Sequence, residues 1–407
     1  MNSKKYLEVA LGILTSTGGF LEVGAIATAT QAGASFGYQL MWALLLGTIC
    51  VTFLVEMSGR LAASSGHPLP AAVRERFGFN FYVFPIAAQV LVDLLVLASE
   101  IGGSALALQL VTGVDYRWWA VPVALFVWLL LWLGTFNVIE YGVSILGLIT
   151  VVCIVAAFKA HPEMASVGKG LLPSLPRHDK AHYWFLAVSM IGAIISPYLF
   201  NFYSSGAIED EWGEDHIGVN RAIAVIGMGF GGLISAGMLV AAAAILHPRG
   251  VEVDRYEQVP LAITATLGKW GFFLFAAGLF IACVGAAIEI SLDGAYVFSQ
   301  SFGWNWGENA KPRDAARFSS VYTLMPFVAC VPMALGLDPL AVTLFSMAIT
   351  TIILPVIVLP FLVLMNDEHY VGRHRNGFVG NAVVFVIIVL AAVMAVVAIP
   401  LEIKGGS

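Results

Sequence analysis

Thr15-Ser16-Thr17-Gly18-Gly19-Phe20-Leu21-Glu22-Val23-Gly24-Ala25 lies inside an apolar run that starts at Tyr6, and it clusters glycines around a carboxylate near mid-membrane. Clustered glycine weakens a helix because each one loses more backbone freedom than any other residue on ordering. The chain repeats the device in Gly192-Ala193-Ile194-Ile195-Ser196-Pro197-Tyr198. Pro197 has no N–H, so it leaves a carbonyl one turn back without its helical partner. Irregular backbone at membrane depth is tolerated only where it is buried in protein or lines a cavity. Counted along the chain, the interruptions fall in the first and sixth apolar spans. That placement predicts two five-helix repeats of inverted topology, 1–160 and 161–366, followed by an additional helix and tail at 367–407. The ion site is expected where the two breaks meet.

The rest of the sequence supports an all-α integral membrane fold. Residues AVILMFWYC make up 59% of the 407 positions and charged residues 11%, and the mean hydropathy is +0.88. Such a composition makes lipid the solvent for most of the chain. Crossing a hydrocarbon core of roughly 30 Å takes about 20 residues of helix. By that measure about eleven spans are expected, near 6–34, 37–62, 81–111, 118–135, 139–160, 183–206, 219–247, 267–301, 318–336, 339–365 and 377–401. No room is left for a large soluble domain. Lys4 and Lys5 precede a stretch that resembles a signal peptide, but Glu22 and the missing cleavage site make it a retained first helix. Lys4, Lys5, Arg60, Arg74, Arg76, Lys311, Arg313, Arg317, Arg373 and Arg375 fall on one side. This implies a multi-pass protein of the cell (inner) membrane with a cytoplasmic amino terminus. The net charge of −6, without a basic patch, argues against nucleic acid.

Ionisable side chains within spans are costly and point to function. Glu22, Glu56, Asp93, Glu100, Glu289 and Asp293 are all acidic, and none has a basic partner deep in the same helix. Carboxylates, freed carbonyls and hydroxyls suit a cation. The alternative for each is a protonated acid hydrogen-bonded between helices. Glu289 and Asp293 are four apart and share a helix face, so they suit a second cation site, a shared-proton pair or plain interhelical hydrogen bonding. Glu140 opens the fifth span as a cap or a gate contact. The acidic run Glu209 to Asp215 is a solvated loop or a concentrator of cations. All eight histidines lie in loops or at span ends, so no imidazole relays protons at mid-membrane. Neither H-E-x-x-H, G-x-S-x-G nor a Walker loop occurs, so no enzyme activity and no cofactor are expected.

Gln31-Ala32-Gly33-Ala34-Ser35-Phe36-Gly37-Tyr38, Ser58-Gly59-Arg60-Leu61, Arg74-Glu75-Arg76-Phe77-Gly78, Glu100 with Gly103-Ser104-Ala105, and Gly192-Ala193 with Pro197 and Ser204-Ser205 together resemble the NRAMP divalent metal transporters. The resemblance covers essentially all the spans and implies the leucine-transporter fold. It departs at the family's metal site. Relatives carry Asp-Pro-Gly-Asn where this chain has Glu22-Val23-Gly24-Ala25, and Met-Pro-His where it has Ser196-Pro197-Tyr198. Ile353 replaces a Gln of the tenth helix, and Leu97 an Asp of the third. Thioether and imidazole favour softer metals, whereas carboxylate, carbonyl, hydroxyl and water suit Mg²⁺. The pattern looks like the subgroup of NRAMP-related magnesium transporters. It implies that Mg²⁺, and also Mn²⁺, moves downhill by alternating access without obligatory proton coupling. Expected contacts, direct or through water, are Glu22, Ser196 and backbone near Gly19, Ala25 and Ala193, with Tyr198 shaping the pocket and Glu100 retained. The alternatives are a proton-coupled Mn²⁺ or Fe²⁺ importer, a sodium-coupled organic solute carrier, and a channel.

Overall fold

The computed structural model describes residues 22–133, 148–176 and 179–405. Gly19, Glu140 and the first half of the first span lie outside these residues. Everything described is helix or the turns between helices. The helices used below are α1 (Val23–Phe36), α2 (Met41–Ser65), α3 (Leu69–Phe77), α4 (Phe79–Thr112), α5 (Tyr116–Leu133), α6 (Val152–Lys159), α7 (Met164–Gly170), α8 (Lys180–Ile194), α9 (Pro197–Glu209), α10 (Ile217–Ile245), α11 (Leu261–Phe302), α12 (Ala316–Ala329), α13 (Pro339–Leu364) and α14 (Phe378–Gly405).

Seven helical segments among the described residues are long and apolar enough to cross a membrane, with α8 and α9 forming one of them. The other four expected spans take different forms. The first is represented by α1, and the eleventh by α14. The ninth span is divided, because Pro332 cannot donate to the carbonyl of Val328; α12 stops at Ala329 and a short helix, Val331–Ala334, follows. The fifth is described only from Leu148. Its helix, Ile149–Lys159, turns by 117° into α7, which occupies part of the connection expected to be a loop and packs on α2. The eighth span starts earlier than expected: α11 begins at Leu261 and is kinked at Gly268, whose φ of 67° only glycine adopts readily.

α1 and the interrupted pair α8–α9 form the centre of the bundle. Every residue of α1 except Ser35 is buried, and 94% of the apolar window in Lys180–Glu209 is buried against 22% in α5. A helix apolar all round belongs in a core, whereas one exposing Trp118, Leu125 and Leu133 faces lipid. α1 packs against α8, α10 and α13, while α4 runs along α11 and α13.

The arginines assigned to one side gather at one end. Arg74 donates to the carbonyls of Gln300 and Ser301, Arg76 pairs with Asp367 at 2.7 Å, and Arg373 pairs with Glu214. Glu56 corrects the expectation that the acids of the spans lack basic partners in their own helices. Arg60, one turn on, binds it at 3.1 Å, and Arg221 approaches to 3.4 Å. Arg60 also donates to the His374 carbonyl and to Asn376, tying α2 to the segment before α14. Arg60→Ala is therefore expected to destabilise the fold by on the order of 3 kcal/mol, since removing one partner strands the other. Thermal unfolding in detergent checks this, and an unchanged midpoint would mean that Arg221 and water replace the guanidinium.

Candidate functional site

The site is assembled from two helix starts and one helix end. At Glu22 the backbone is extended (φ −77°, ψ 153°), and its carbonyl accepts the Ala25 and Ile26 amides, so α1 begins here. Opposite, α8 ends at Ile195 (φ −102°, ψ 63°) and α9 begins with Ser196 extended and Pro197 in its first turn. Proline suits that position because the missing N–H is one no helix start uses. The same missing group leaves the Ala193 carbonyl without its helical donor. The interruption between α8 and α9 is a consequence of local sequence.

The Glu22 side chain is 0% exposed, and neither carboxylate oxygen has a well-formed hydrogen bond. The hydroxyls of Ser196 and Tyr198 are the polar side-chain groups that approach it. Ser196 Oγ is itself buried without a partner. Glu100 reaches the same place from α4 and takes the amide of Val23 at 3.0 and 3.3 Å through its two oxygens. It caps α1 from another helix, where a negative charge is favoured by the helix dipole. Glu289 of α11 stands within electrostatic reach of Tyr198, as do Glu22 and Glu100. The structure thus brings together Glu22, Ser196, Tyr198, Glu100 and Glu289. Ala193 and Ala25 are buried beside the breaks, Ala25 contributing no polar side-chain atom.

Asp293 goes elsewhere. It does not pair with Glu289; it faces Asp93 across the α4–α11 contact, and Gln89 Nε2 donates to both carboxylates, at 2.7 Å to Asp93 and 3.2 Å to Asp293. Sharing a helix face says which way two side chains point, and the neighbouring helix decides what each one meets. The acidic run after α9 is also not simply solvated. Glu209 accepts the Glu308 amide at 3.0 Å and the Tyr296 hydroxyl at 3.3 Å.

Sequence reasoning missed Met347. A Cβ on Gly24 would lie 2.8 Å from its sulfur, and one on Gly192 would lie 2.0 Å from its carbonyl oxygen. This residue of α13 is therefore wedged between the two broken helices, and it brings a thioether to the first turn of α1. A signal was present: Thr343, Ser346, Met347, Thr350 and Thr351 recur at helical spacing in an otherwise apolar span, and all five are buried. Ile353, the residue at the expected ligand position of that helix, is only partly buried and packs against the core.

Among the described residues no group of three or more His, Cys, Asp or Glu side chains is placed to hold a metal. One carboxylate with hydroxyls and freed carbonyls is what the two breaks offer. A family description, natural resistance-associated macrophage protein-like, matches residues 12–400. The chain belongs to the NRAMP family. Among NRAMP relatives, the divalent metal cation transporter MntH of Deinococcus radiodurans is 28% identical over 388 residues, covering 91% of this chain and 85% of that one. The MntH of Yersinia enterocolitica is 26% identical over 398 residues, with 93% and 92% covered. A solved structure of the Eremococcus coleocola manganese transporter superposes with a TM-score of 0.77 at 18% identity, over 98% of this chain and 87% of that one. MhsT in complex with L-phenylalanine gives 0.63 at 16% identity, over 96% and 98%. These likenesses place the NRAMP chain in the leucine-transporter fold.

Proposed function

We propose that this protein moves divalent metal cations across the membrane by alternating access, with Glu22 as the charged ligand and Mg²⁺ preferred to Mn²⁺. The observation that carries the reading is the fully buried Glu22 carboxylate, approached only by hydroxyls and without a well-formed hydrogen bond, where α1 begins and α8 gives way to α9. A charge taken out of water costs several kcal/mol unless something answers it. A cation answers it, and the Ser196 hydroxyl and the Ala193 carbonyl supply further oxygens. Mg²⁺ usually keeps several waters and uses one or two carboxylates. A site where Glu22 is joined by hydroxyl and carbonyl oxygens, with Glu100 engaged as the cap of α1, fits that habit. The relatives named as divalent metal and manganese transporters support the general class. The inverted repeats, taken as 1–160 and 161–366 with the remaining helix outside them, would supply the rocking halves. The arginine-rich end is assigned to the cytoplasm.

Downhill movement without obligatory proton coupling rests on two features. Leu97 occupies the third-helix position of a titratable residue, deep in the core. Glu100 is engaged as the cap of α1, so protonating it weakens a contact the fold uses. A sodium-coupled organic solute carrier fits less well, because Glu22 repels the carboxylate that half-helix amino termini would otherwise attract.

Met347 favours a second reading, manganese transport, because its thioether stands where a softer metal finds a ligand. The test is flux into proteoliposomes under a negative-inside potential, with Mg²⁺ and Mn²⁺ indicators and a pH dye in parallel. Mg²⁺ uptake without acidification supports the proposal; Mn²⁺ uptake alone, with proton influx, overturns it. Met347→Leu separates the readings further by keeping bulk and removing sulfur. Mg²⁺ flux is expected to stay within about twofold, since such volume-conserving exchanges are well tolerated. A selective fall of about tenfold in Mn²⁺ flux would make the thioether a ligand, the effect of losing one soft donor.

A further inference from the structure

We propose that Asp93, Asp293 and Gln89 form a second station for a hard divalent cation, one helical turn of α11 beyond Glu289 towards the arginine-rich end. This rests on the reading of the chain as a cation carrier. Asp93 and Asp293 are both 0% exposed, and Gln89 is 3% exposed. The Gln89 amide nitrogen joins the two carboxylates, which also face each other within hydrogen-bond reach, yet Gln89 Oε1 remains buried without a donor. A purely structural pair would be expected to satisfy its remaining acceptors, because buried polar groups in native proteins are nearly all hydrogen-bonded. Two carboxylates and a carboxamide oxygen are the hard donors that Mg²⁺ and related ions take.

Position and space agree with this role. Asp293 follows Glu289 by four residues, about 6 Å of helix rise, on the same face of α11. Beyond it lies a cavity of about 20 Å³, lined by Gln89, Tyr82, Asn201 and Val297 among others and large enough for a single water or ion. Past the cavity, α11 ends at the carbonyls held by Arg74. Along α11 the order towards that end is Glu289, then the pair, then the cavity. Without an ion, the two carboxylates are held together by a shared proton. That proton returns from the same side when the ion leaves, so the exchange adds no coupling across the membrane.

Equilibrium dialysis of the purified full chain against Mg²⁺, read by atomic absorption, tests the assignment. Two ions per chain are expected for the wild type. One is expected for Glu22→Gln, and one for the double variant Asp93→Asn with Asp293→Asn. One ion in the wild type, unchanged in the double variant, overturns the second station and leaves the Glu22 site standing. So does an unchanged ion count accompanied by an altered pH dependence of flux, which would make the pair a proton carrier. Two ions that both survive Glu22→Gln overturn the reading of Glu22 instead, and no binding at concentrations that sustain flux overturns both. If the double variant does not fold, Gln89→Met decides: it keeps both acids and removes the bridging amide, and retention of the second ion sinks the proposal.

Discussion

Glu22→Gln should reduce divalent cation flux by on the order of a hundredfold or more, while the protein folds and elutes as the wild type does. The amide keeps the shape and removes the charge. Even residues that only support a metal ligand cost about 10- to 100-fold when changed, and Glu22 is proposed as the sole charged ligand at the break. The Ser196 and Tyr198 hydroxyls that approach its carboxylate can meet the amide oxygen equally, so the change removes charge more than contacts. Stability is expected to hold or rise, because a buried unanswered charge is itself unfavourable. Isotope or indicator flux, read beside a melting curve, separates the two effects. Unchanged flux would place the site elsewhere. A large fall in stability would instead make Glu22 a structural group.

Gly192→Ala should disrupt the fold at the same place through sterics alone. A Cβ there would sit 2.0 Å from the Met347 carbonyl oxygen and 2.4 Å from Thr351 Oγ1. Neither atom yields easily. The first is backbone, and the second donates to the carbonyls of Val188 at 3.0 Å and Met347 at 3.2 Å, fastening α13 to α8. Overpacking of this kind costs about 1–3 kcal/mol and more where backbone must move. The added methyl pushes α13 away from the break and carries Met347 with it, so flux is expected to fall along with the melting temperature. Gly206→Ala is the control. Nothing lies within 4 Å of its Cβ position in α9, and alanine there should be neutral or stabilise by up to about 1 kcal/mol through helix propensity. If both variants behave alike, close packing at Gly192 is not what holds α8 and α13 together.

The tight approach of α8 to α13 also bears on gating. Arg60, Arg74, Arg76 and Arg373 tie the loops together at one end, whereas α8 meets α13 through close packing and the Thr351 hydroxyl. The Arg76–Asp367 and Arg373–Glu214 pairs at that end are exposed, and such pairs contribute little energy and are screened by salt. The cavity at Gln89 lies between the buried acids and this end.

Several features of the protein follow from sequence alone. Composition demanded helices in lipid, since only helices and closed barrels satisfy every backbone group there. Pro197 announced the interruption between α8 and α9, because a missing N–H acts on its own turn of backbone whatever surrounds it. The family resemblance identified the substitutions at the site, Glu22, Ser196 and Tyr198. Tertiary structure alone decided the partnerships between helices. Glu100 caps α1, Asp293 faces Asp93 instead of acting with Glu289, and Met347 stands between two helices far from it in sequence. Helical periodicity tells which residues share a face but not which face of which neighbour they meet. In a bundle whose helices are apolar on nearly every side, the hydrophobic pattern carries no record of that choice. It is made by the close approach of small residues such as Gly24 and Gly192 to particular atoms of α13, a matter of shape that appears only once the helices are packed.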